Sequence, residues 1–286
     1  ALRGENFDGH DFIGMAVEKG AAAVIAHKPV PGELAVPVIM VADTGQALLD
    51  LAGFYRQKFS QPVIAVTGSV GKTSTKDMIA EALSPKLRVH KTEANFNNNI
   101  GLPLTILQWE EAHDALVVEM GMRGFGEIST LTRVARPTIA VVTNIGISHL
   151  ERLGSQENIL KAKMEIVEGL SADGVLMLNA DDPLLKKVKP DYPGKIIYVG
   201  RETDADYTAY DLTNKGEEGV GFKVKLKGRE YNFHIRAVGE HHVSNALFGI
   251  ACGMELGLSP EEIALGVANF QPGKLRGNII ERSGIK

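Results

Sequence analysis

The sequence predicts an α/β fold. Its central P-loop domain is built on a parallel sheet and has a small antiparallel appendage. A small α/β N-terminal domain precedes it. Three observations support this prediction. Apolar runs alternate with helical patterns from Val63 onward, a glycine loop follows the first run, and residues 205–238 contain alternating apolar positions. With 286 residues and 44% hydrophobic content, the chain can bury a large core and is expected to form two domains.

The N-terminal domain, residues 1–61, contains two short apolar runs at 22–25 and 38–41. An apolar stripe at helical spacing follows them and consists of Leu48, Leu51, Ala52 and Tyr55. Pro62 marks the end of this unit, because the residue before a proline is pushed toward extended geometry. The pattern therefore predicts a domain boundary between residues 61 and 62.

The central domain is predicted to span residues 62–272 and to begin with a strand at 63–67. Further apolar runs, most of them separated by helical patterns, recur at 116–118, 138–143, 175–178 and 196–199. That alternation is typical of a parallel, helix-flanked sheet. Two helical patterns, 243–255 and 260–269, close the domain, and residues 273–286 are expected to begin a linker.

The segment after the first strand predicts a phosphate-binding loop. It reads Gly68-Ser69-Val70-Gly71-Lys72-Thr73-Ser74, a shortened variant of the common G-x4-G-K-[ST] spacing, with Val66 where the early glycine would fall. Backbone N–H groups and a helix N-terminus would meet phosphate oxygens, Lys72 would add charge, and Thr73 would offer a hydroxyl to Mg²⁺. The alternative is a glycine turn that only joins strand to helix. The complete context of strand, loop and helix favours nucleotide binding.

Polar residues follow several of the predicted strands, at Thr67, Glu119, Thr143-Asn144 and 179–182. In open parallel sheets the ligand crevice lies beyond the carboxyl ends of the strands, so these groups should face one crevice. Glu119 follows three apolar residues, and its carboxylate would need a partner, either a Mg²⁺ beside the loop or a buried arginine. His149 could ligate a second cation or bind phosphate, and a structural role is the alternative.

Lys163 lies in the middle of an apolar stripe. From Ser155 the residues Ile159, Lys163, Ile166 and Leu170 recur at helical spacing, whereas Lys161 points to the opposite face. Burial disfavours the charged form of a lysine, so the free amine becomes available for chemistry such as carbamate formation with CO₂. The alternative is a lysine whose stem packs in the core while its amine reaches solvent.

Composition excludes several classes of function. One cysteine, Cys252, allows neither an internal disulfide nor a cysteine metal site, and a packed core thiol is expected. The net charge of −4 with scattered lysines gives no electrostatic footprint for nucleic acid. No apolar run approaches the roughly 20 residues that span a bilayer. We therefore expect a cytoplasmic protein that binds neither nucleic acid nor membrane.

The combination of Thr67-Gly-Ser-Val-Gly-Lys-Thr-Ser74, Glu119, Thr143-Asn-Ile-Gly-Ile-Ser-His149, Gly154 and Lys163 resembles the central ATPase domain of the Mur ligases. The resemblance implies ATP and Mg²⁺ as cofactors and places Asn144 in the nucleotide site. It further implies that Thr73 and Glu119 hold one Mg²⁺, and that His149 with a carbamylated Lys163 supports a second.

A later segment, Gly239-Glu-His-His-Val-Ser-Asn245-Ala, resembles the part of the family that contributes to adenine binding. His242 stands where the family often has asparagine, which leaves Asn245 as the better candidate for that role. Asn179-Ala-Asp-Asp182 also matches the family pattern.

Two segments resemble the branch of the family that adds D-alanyl-D-alanine to UDP-N-acetylmuramoyl-tripeptide. The first, 4–12, also occurs in the branch that adds the third peptide residue, so the second, 91–105, discriminates better. From the second segment the predicted substrate contacts are Thr92, Asn95, Asn97, Asn98 and Asn99. Neutral amides that both donate and accept suit sugar, peptide and phosphate groups. The alternative is a polar loop with asparagines in turn conformations.

The resemblance implies a monomeric amide ligase that works through an acyl phosphate. It also implies that the family continues at both ends, with further N-terminal residues of a nucleotide-sugar domain and a third, Rossmann-like domain after Lys286. The alternatives are a sister ligase that adds the third peptide residue, a folylpolyglutamate synthase-like ligase, a P-loop kinase or nucleotide switch, and a non-catalytic nucleotide-binding module.

Overall fold

A computed structural model describes residues 1–30, 32–201 and 205–273. The α-helices in this part of the chain are α1 (Ile13–Glu18), α2 (Thr44–Arg56), α3 (Lys72–Leu83), α4 (Gly101–Leu107), α5 (Glu127–Ala135), α6 (Leu150–Leu153), α7 (Gln156–Met164), α8 (His241–Glu255) and α9 (Pro260–Asn269). The strands are β1 (Val24–Ala26), β2 (Val38–Met40), β3 (Val63–Thr67), β4 (Val89–Lys91), β5 (Ala115–Glu119), β6 (Ile139–Val142), β7 (Val175–Asn179), β8 (Lys195–Gly200), β9 (Tyr207–Asn214), β10 (Val220–Leu226) and β11 (Arg229–Ile235). Short 3₁₀ helices occur at Gly9–Phe12, Glu165–Glu168 and Gly216–Glu218.

A nine-stranded sheet forms the centre of the described structure, in the order β11-β10-β9-β8-β7-β6-β3-β5-β4. From β4 to β9 neighbouring strands run parallel, whereas β10 pairs antiparallel with both β9 and β11. The predicted antiparallel appendage is an extension of the sheet, because β9 joins β8 through the pairs Val199↔Tyr207 and Gly200↔Thr208. The predicted α/β fold with a mainly parallel central sheet is confirmed.

Strand β3 is buried along its whole length because helices cover both faces of the sheet. Ile64 and Val66 face one hydrophobic cluster, which includes residues of α3, α8 and α9. Val63 and Ala65 face a second cluster, which includes residues of α4, α5 and α7. This division follows from the two-residue period of a strand, and it fixes β3 firmly beneath the loop that follows it.

The order of the strands sets the position of the loop after β3. This strand lies between β5 and β6 in the sheet. The chain therefore crosses from one side of β3 to the other after it leaves β5. Such a switch point leaves an open crevice at the carboxyl ends of the strands. Thr67 and Glu119 end β3 and β5 there, and Thr143 directly follows β6.

The N-terminal residues contain a separate two-stranded parallel sheet, β1-β2, and a small cluster of Ile13, Val24 and Ala26. Helix α2 packs against α4 and α5 of the central sheet layers. The stripe predicted for this helix is wrong at Leu51, which is 43% exposed. The buried positions of α2 are Thr44, Leu49, Ala52 and Arg56.

The division of the chain into 1–61, 62–272 and 273–286 remains a prediction. Arg56 of α2 donates from its guanidinium to the backbone oxygens of Phe59 and Ala135, at 2.7 and 2.8 Å. The two predicted domains therefore share a buried contact. Of the predicted linker, only Gly273 belongs to the described residues.

The two closing helices form as the pattern predicts. Helix α9 begins with a capping box in which the Ser259 hydroxyl and the Glu262 side chain each accept from the other residue's backbone N–H. Cys252 of α8 is fully buried with its sulfur 3.7 Å from that of Met177, so the predicted core thiol is confirmed. Across the described residues, every helix is too short or too polar to traverse a lipid bilayer.

Candidate active site

The loop between β3 and α3 requires glycine at two positions. Gly68 has φ +154°, and a Cβ atom there would lie 1.9 Å from the hydroxyl oxygen of Thr143. Gly71 has φ +79° and precedes the first residue of α3. No side chain caps α3 at Gly71, and the first N–H groups of a helix have no acceptor within the helix itself, so they can donate to a ligand. This geometry suits a phosphate group bound at the helix N-terminus.

Asn144 braces the same loop. Its side-chain oxygen accepts from the N–H groups of Ser69 and Val70, at 3.1 and 3.0 Å, and its amide nitrogen donates to the Val70 carbonyl at 3.1 Å. The Thr143 hydroxyl also donates to the Val70 carbonyl, at 2.8 Å. Asn144, predicted to contact the nucleotide, therefore lies at the loop and holds two of its peptide groups in place.

The Lys72 ammonium bends back over the loop. It donates to the Gly68 carbonyl at 2.9 Å and lies 3.4 Å from that of Ser69. Ser74 follows in the first turn of α3 and is half-buried. The predicted phosphate-binding residues 68–74 thus form one continuous loop and helix N-terminus, with the ammonium group above it.

The Thr73 hydroxyl meets the Glu119 carboxylate beside this loop. Thr73 Oγ1 donates to Glu119 Oε2 at 2.7 Å, and the amide of Asn97 donates to Glu119 Oε1 at 2.8 Å. Glu119 is only 2% exposed, so these two hydrogen bonds replace much of the hydration that its carboxylate loses. Both partners are neutral side chains, which leaves the negative charge available to a cation.

Lys163 is buried among apolar residues, as its position in the stripe predicts. Its neighbours in that stripe, Ile159 and Ile166, are fully buried, and Lys163 itself is 2% exposed. Burial, assisted by the nearby charge of Lys72, lowers the pKa of the Lys163 amine to about 7. The alternative of an amine that reaches solvent is contradicted, and near neutral pH a substantial part of this amine is uncharged.

His149 lines the same cavity as Lys72. Its backbone is left-handed, with φ +66°, and its ring is exposed just before α6. Burial lowers the pKa of the imidazole, and the positive charges of Lys163 and Lys72 lower it further. These three predicted site residues are therefore close enough to repel one another when all are protonated.

The predicted asparagine cluster lines a cavity of about 450 Å³ together with Lys72 and His149. The lining asparagines are Asn95, Asn97, Asn98 and Asn99. Asn98 uses its side-chain oxygen to accept from the N–H groups of Ile100 and Gly101, so it also has the turn role given as the alternative. Asn95 and Asn99 are exposed toward solvent.

Thr92 is placed differently from the asparagines. It is fully buried, and its hydroxyl accepts from the backbone N–H of Glu119 at 3.1 Å. The role of Thr92 as a substrate contact remains a prediction, because the hydrogen bond seen here serves Glu119 instead. Its hydrogen bond assigns it to the support of Glu119. The sequence showed only a threonine beside asparagines, which carries no information about this burial.

Asn245 of α8 lies beside the end of the phosphate-binding loop. Its side-chain oxygen accepts from the Thr75 hydroxyl at 2.9 Å, and a Cβ atom at Gly71 would be 3.8 Å from that oxygen. Neighbouring His242 is almost completely buried, and burial lowers the pKa of its imidazole to about 4. The structure thus brings Asn245 to the site, while His242 packs as a neutral ring.

Two further polar residues support the site. Asp182 accepts from the backbone N–H of Ile145 at 2.7 Å, and Asn179 donates to the Thr143 carbonyl at 2.9 Å, so the segment 179–182 holds the end of β6. Lys76 is buried in α3 and was not among the residues predicted from the sequence. Lys72, Lys76, Ile79 and Leu83 have the helical spacing of the Lys163 stripe, so the same rule could have found Lys76.

The donor set beside the loop suits Mg²⁺. This ion takes oxygen ligands and is commonly bound by one or two carboxylates, water and the phosphates of a substrate. The Thr73 hydroxyl and the Glu119 carboxylate provide such oxygens at the N-terminus of α3. Within the described ranges, histidine, cysteine, aspartate and glutamate nowhere converge in a group of three or more that could hold a metal. A cation here would therefore need phosphate oxygens as well.

Comparison with known proteins agrees with this geometry. The family model for the Mur ligase middle domain matches residues 66–253, and that for the Mur ligase family, catalytic domain, matches residues 1–56. The UDP-N-acetylmuramoyl-tripeptide--D-alanyl-D-alanine ligase of Bacillus subtilis is 46% identical over 281 residues, which are 98% of this chain. The chain spans 60% of the length of that relative.

Two solved structures have the same fold over 99% of this chain. MurF from Acinetobacter baumannii superposes with a TM-score of 0.91 at 31% identity, with 62% of its chain covered. The MurF ligase from Thermotoga maritima in complex with ADP superposes with a TM-score of 0.88 at 31% identity, with 65% of its chain covered.

Proposed function

The chain belongs to the Mur ligase family, and we propose that it acts in the ATP-dependent joining of D-alanyl-D-alanine to UDP-N-acetylmuramoyl-tripeptide, a step of peptidoglycan precursor synthesis. Support comes from the Bacillus subtilis relative, whose name states this pair of substrates, and from the Thermotoga maritima structure, which contains ADP. In this proposal residues 1–61 are part of a nucleotide-sugar substrate domain and residues 62–272 the ATP-binding domain.

The observation that carries the proposal is the position of the Glu119 carboxylate. One of its oxygens accepts from Thr73 of the phosphate-binding loop, and the other accepts from Asn97 of the asparagine segment. A ligase that activates a carboxylate with ATP must bring a phosphate group and an acyl substrate to one point. Glu119 joins the two structural elements that would bind them.

The reaction requires an activated acyl group, because a carboxylate is a poor acyl donor. A carboxylate oxygen of the tripeptide attacks the γ-phosphorus of ATP, the bond to ADP breaks, and an acyl phosphate forms. The amine of the dipeptide then attacks the acyl carbon and loses a proton as inorganic phosphate leaves. Phosphoryl transfer of this kind depends mostly on positioning and on neutralisation of charge.

The residues of the loop supply that positioning. The N-terminus of α3 and the backbone of residues 68–71 would bind phosphate oxygens, with Lys72 adding a positive charge. Thr73 and Glu119 would hold one Mg²⁺, which when bound neutralises phosphate charge. The N–H groups of Ser69 and Val70 donate to the Asn144 side chain, so they would have to exchange Asn144 for phosphate oxygens when the nucleotide binds. Asn245 would contribute to adenine binding.

Lys163 and His149 would form the second cation site. A protonated lysine cannot ligate a cation, whereas the carbamate formed from its neutral amine and CO₂ is an anionic oxygen ligand. The lowered pKa of Lys163 supports this chemistry because it supplies the neutral amine near pH 7. His149 would add a neutral imidazole nitrogen. The exposed asparagines Asn95 and Asn99 would contact the tripeptide substrate from the cavity that Lys72 and His149 also line.

An isotope experiment tests the acyl phosphate directly. The full-length protein is incubated with ATP, Mg²⁺, D-alanyl-D-alanine and UDP-N-acetylmuramoyl-tripeptide whose terminal carboxylate carries heavy oxygen. The proposal predicts that one heavy oxygen appears in the released phosphate, since the carboxylate oxygen stays with phosphorus when the amide forms. Released phosphate without the label would indicate hydrolysis by water, as in a nucleotide switch, and would overturn the proposal.

The same proposal includes a cytoplasmic, monomeric enzyme whose partners are these small molecules. Its substrates are precursors linked to a nucleotide, and such precursors are made in the cytoplasm. A sister ligase that adds the third peptide residue would accept a free amino acid in place of the dipeptide. Competition between the two amines for amide formation separates the two reactions.

A further inference from the structure

Lys76 is a buried cation that the proposed reaction does not use. It lies one helical turn after Lys72 in α3 and is 2% exposed. An isolated ammonium group is costly to bury, so its partners show what it does. The Lys76 ammonium donates to the backbone carbonyl of Thr92 and lies 3.2 Å from a carboxylate oxygen of Asp77.

The carbonyl that Lys76 binds belongs to the residue that holds Glu119. Thr92 is fully buried directly after β4, and its own N–H donates to the Val117 carbonyl at 3.0 Å, which extends the pairing of β4 with β5. Its hydroxyl then accepts from the Glu119 N–H at 3.1 Å. Lys76 and Glu119 are therefore bound to the same residue, one through its carbonyl and the other through its hydroxyl.

These contacts form a closed ring with α3. The helix provides Thr73 in its first turn and Lys76 one turn later. Thr73 binds the Glu119 side chain at 2.7 Å, the Glu119 backbone binds Thr92, and Thr92 accepts from Lys76. A ring of this kind fixes the distance between the Thr73 hydroxyl and the Glu119 carboxylate, because neither can move without breaking another hydrogen bond.

We propose that Lys76, acting through Thr92, is a positioning residue that holds Thr73 and Glu119 in the arrangement a divalent cation requires. The inference rests on the proposed function, since it takes these two residues as the Mg²⁺ site. Metal ligands generally depend on outer partners of this kind, and loss of one such partner typically weakens metal affinity by about 10- to 100-fold. The competing interpretation is that the Lys76 charge only stabilises the fold. The Asp77 carboxylate, which lies near Lys76, also pairs with Lys91 at 3.1 Å, so Lys76 could belong to a surface ion-pair network instead.

Calorimetry on the full-length protein separates these interpretations. ADP is titrated with and without Mg²⁺, and Mg²⁺ is then titrated into the complex with ADP. We expect Lys76→Met and Thr92→Val to weaken Mg²⁺ affinity by about 10-fold while ADP binding without metal stays unchanged. Thr92→Ser keeps the hydroxyl and should retain the Mg²⁺ affinity of the unsubstituted protein. Lys86→Met is the matched control, since Lys86 is an exposed lysine that also donates to a backbone carbonyl, that of Gly257.

Each outcome decides the inference. If Lys76→Met does not fold, Thr92→Val carries the test, because it removes one hydroxyl and keeps the shape of the side chain. Unchanged Mg²⁺ affinity in folded Thr92→Val would overturn the inference and leave the proposed function intact. An unsubstituted protein whose nucleotide binding ignores Mg²⁺ would overturn the proposed function together with the inference.

Discussion

The two sides of the phosphate-binding loop differ in how complete they are. On one side, Thr73 and Glu119 already touch at 2.7 Å, and the carboxylate is held by Asn97 and by the backbone contact to Thr92. On the other side, Lys163 and His149 lie near Lys72. Beyond the effect of burial, the charge of Lys72 lowers the pKa of both groups, and Lys163 also lowers the pKa of His149. The first side is an anionic oxygen site, whereas the second is a set of bases that repel one another once protonated.

The two sides therefore differ in the small molecules or ions that each would have to take up from solution. The Thr73–Glu119 side needs only a cation, because its two oxygen ligands already lie side by side. On the Lys163–His149 side the proposed cation ligand is a carbamate, which would form only when the Lys163 amine reacts with CO₂. Carbamate formation on Lys163 would replace a positive charge by a negative one and so remove the repulsion.

The largest expected effect comes from Lys72, which lies between the two sides. Lys72→Ala removes the charge over the loop and should lower the rate of phosphoryl transfer by at least about 100- to 1,000-fold in the full-length enzyme. The measurement is phosphate release under saturating substrates. Lys161→Ala, on the exposed face of α7, serves as the control and should retain activity. Near-normal ligation by Lys72→Ala would remove Lys72 from the proposed mechanism.

Substitution of Lys163 tests the incomplete side. Lys163→Ala should reduce ligation by about 100-fold, because the second cation loses its ligand. Added short carboxylates such as acetate should restore part of the rate, since they can occupy the space of the missing carbamate. Lys161→Ala should be indifferent to the same additions. Full activity of Lys163→Ala without any addition would show that this amine takes no part in the reaction.

Substitution of Glu119 tests the complete side. Glu119→Gln keeps the size of the side chain and removes its charge, so Mg²⁺ affinity should fall by about 10- to 100-fold. Short carboxylates should not restore it, because the glutamine still fills the site. The response to acetate, measured by phosphate release at several Mg²⁺ concentrations, therefore distinguishes the two sides. Equal restoration of both variants would contradict the distinction.

The last prediction concerns stability and not activity. The pKa of Lys163 is lowered from 10.5 to about 7 in the folded chain, so between these pH values the unfolded state binds more protons. Stability should therefore rise with pH across this window, with a slope of up to about 1.4 kcal/mol per pH unit from this group. Below about pH 7 the group is protonated in both states and contributes no slope.

Urea unfolding in CO₂-free buffer, at several pH values within this window, measures the slope. Lys163→Met removes the titrating amine, and the difference between the two proteins isolates its contribution from that of other groups. A steeper rise for the unsubstituted protein is expected. Identical slopes would show that Lys163 is not held in a buried, uncharged state.

The sequence predicts those parts of the site whose chemistry is local. The phosphate-binding loop, helix α3 and the stripe through Lys163 follow from glycine spacing and from helical periodicity, and the structure has them where they are expected. The structure departs from the predictions where long-range packing decides. Thr92 is fully buried where its N–H extends the pairing of β4 with β5, and α2 buries Leu49 while Leu51 is exposed.

The antiparallel residues show the same limit. Their alternating pattern predicts strands, and it contains no information on which edge of the central sheet they join. Among the described residues, β8 pairs with β9 through Val199↔Tyr207 and Gly200↔Thr208, and the strand pattern alone does not reveal this pairing. Lys76 was missed for a different reason. The helical spacing of Lys76 is present in the sequence. Lys72, at the start of the same stripe, was explained by the phosphate-binding loop, and the stripe was therefore not followed further to Lys76.

Phosphate release by the full-length protein tests the central claim most directly. The protein is given ATP and Mg²⁺ with UDP-N-acetylmuramoyl-tripeptide and D-alanyl-D-alanine, first singly and then together. The account predicts sustained release only when both are present, in equal amount to the amide formed. Release at the same rate with neither substrate would contradict it, because the phosphate-binding loop would then hydrolyse ATP without joining the two molecules.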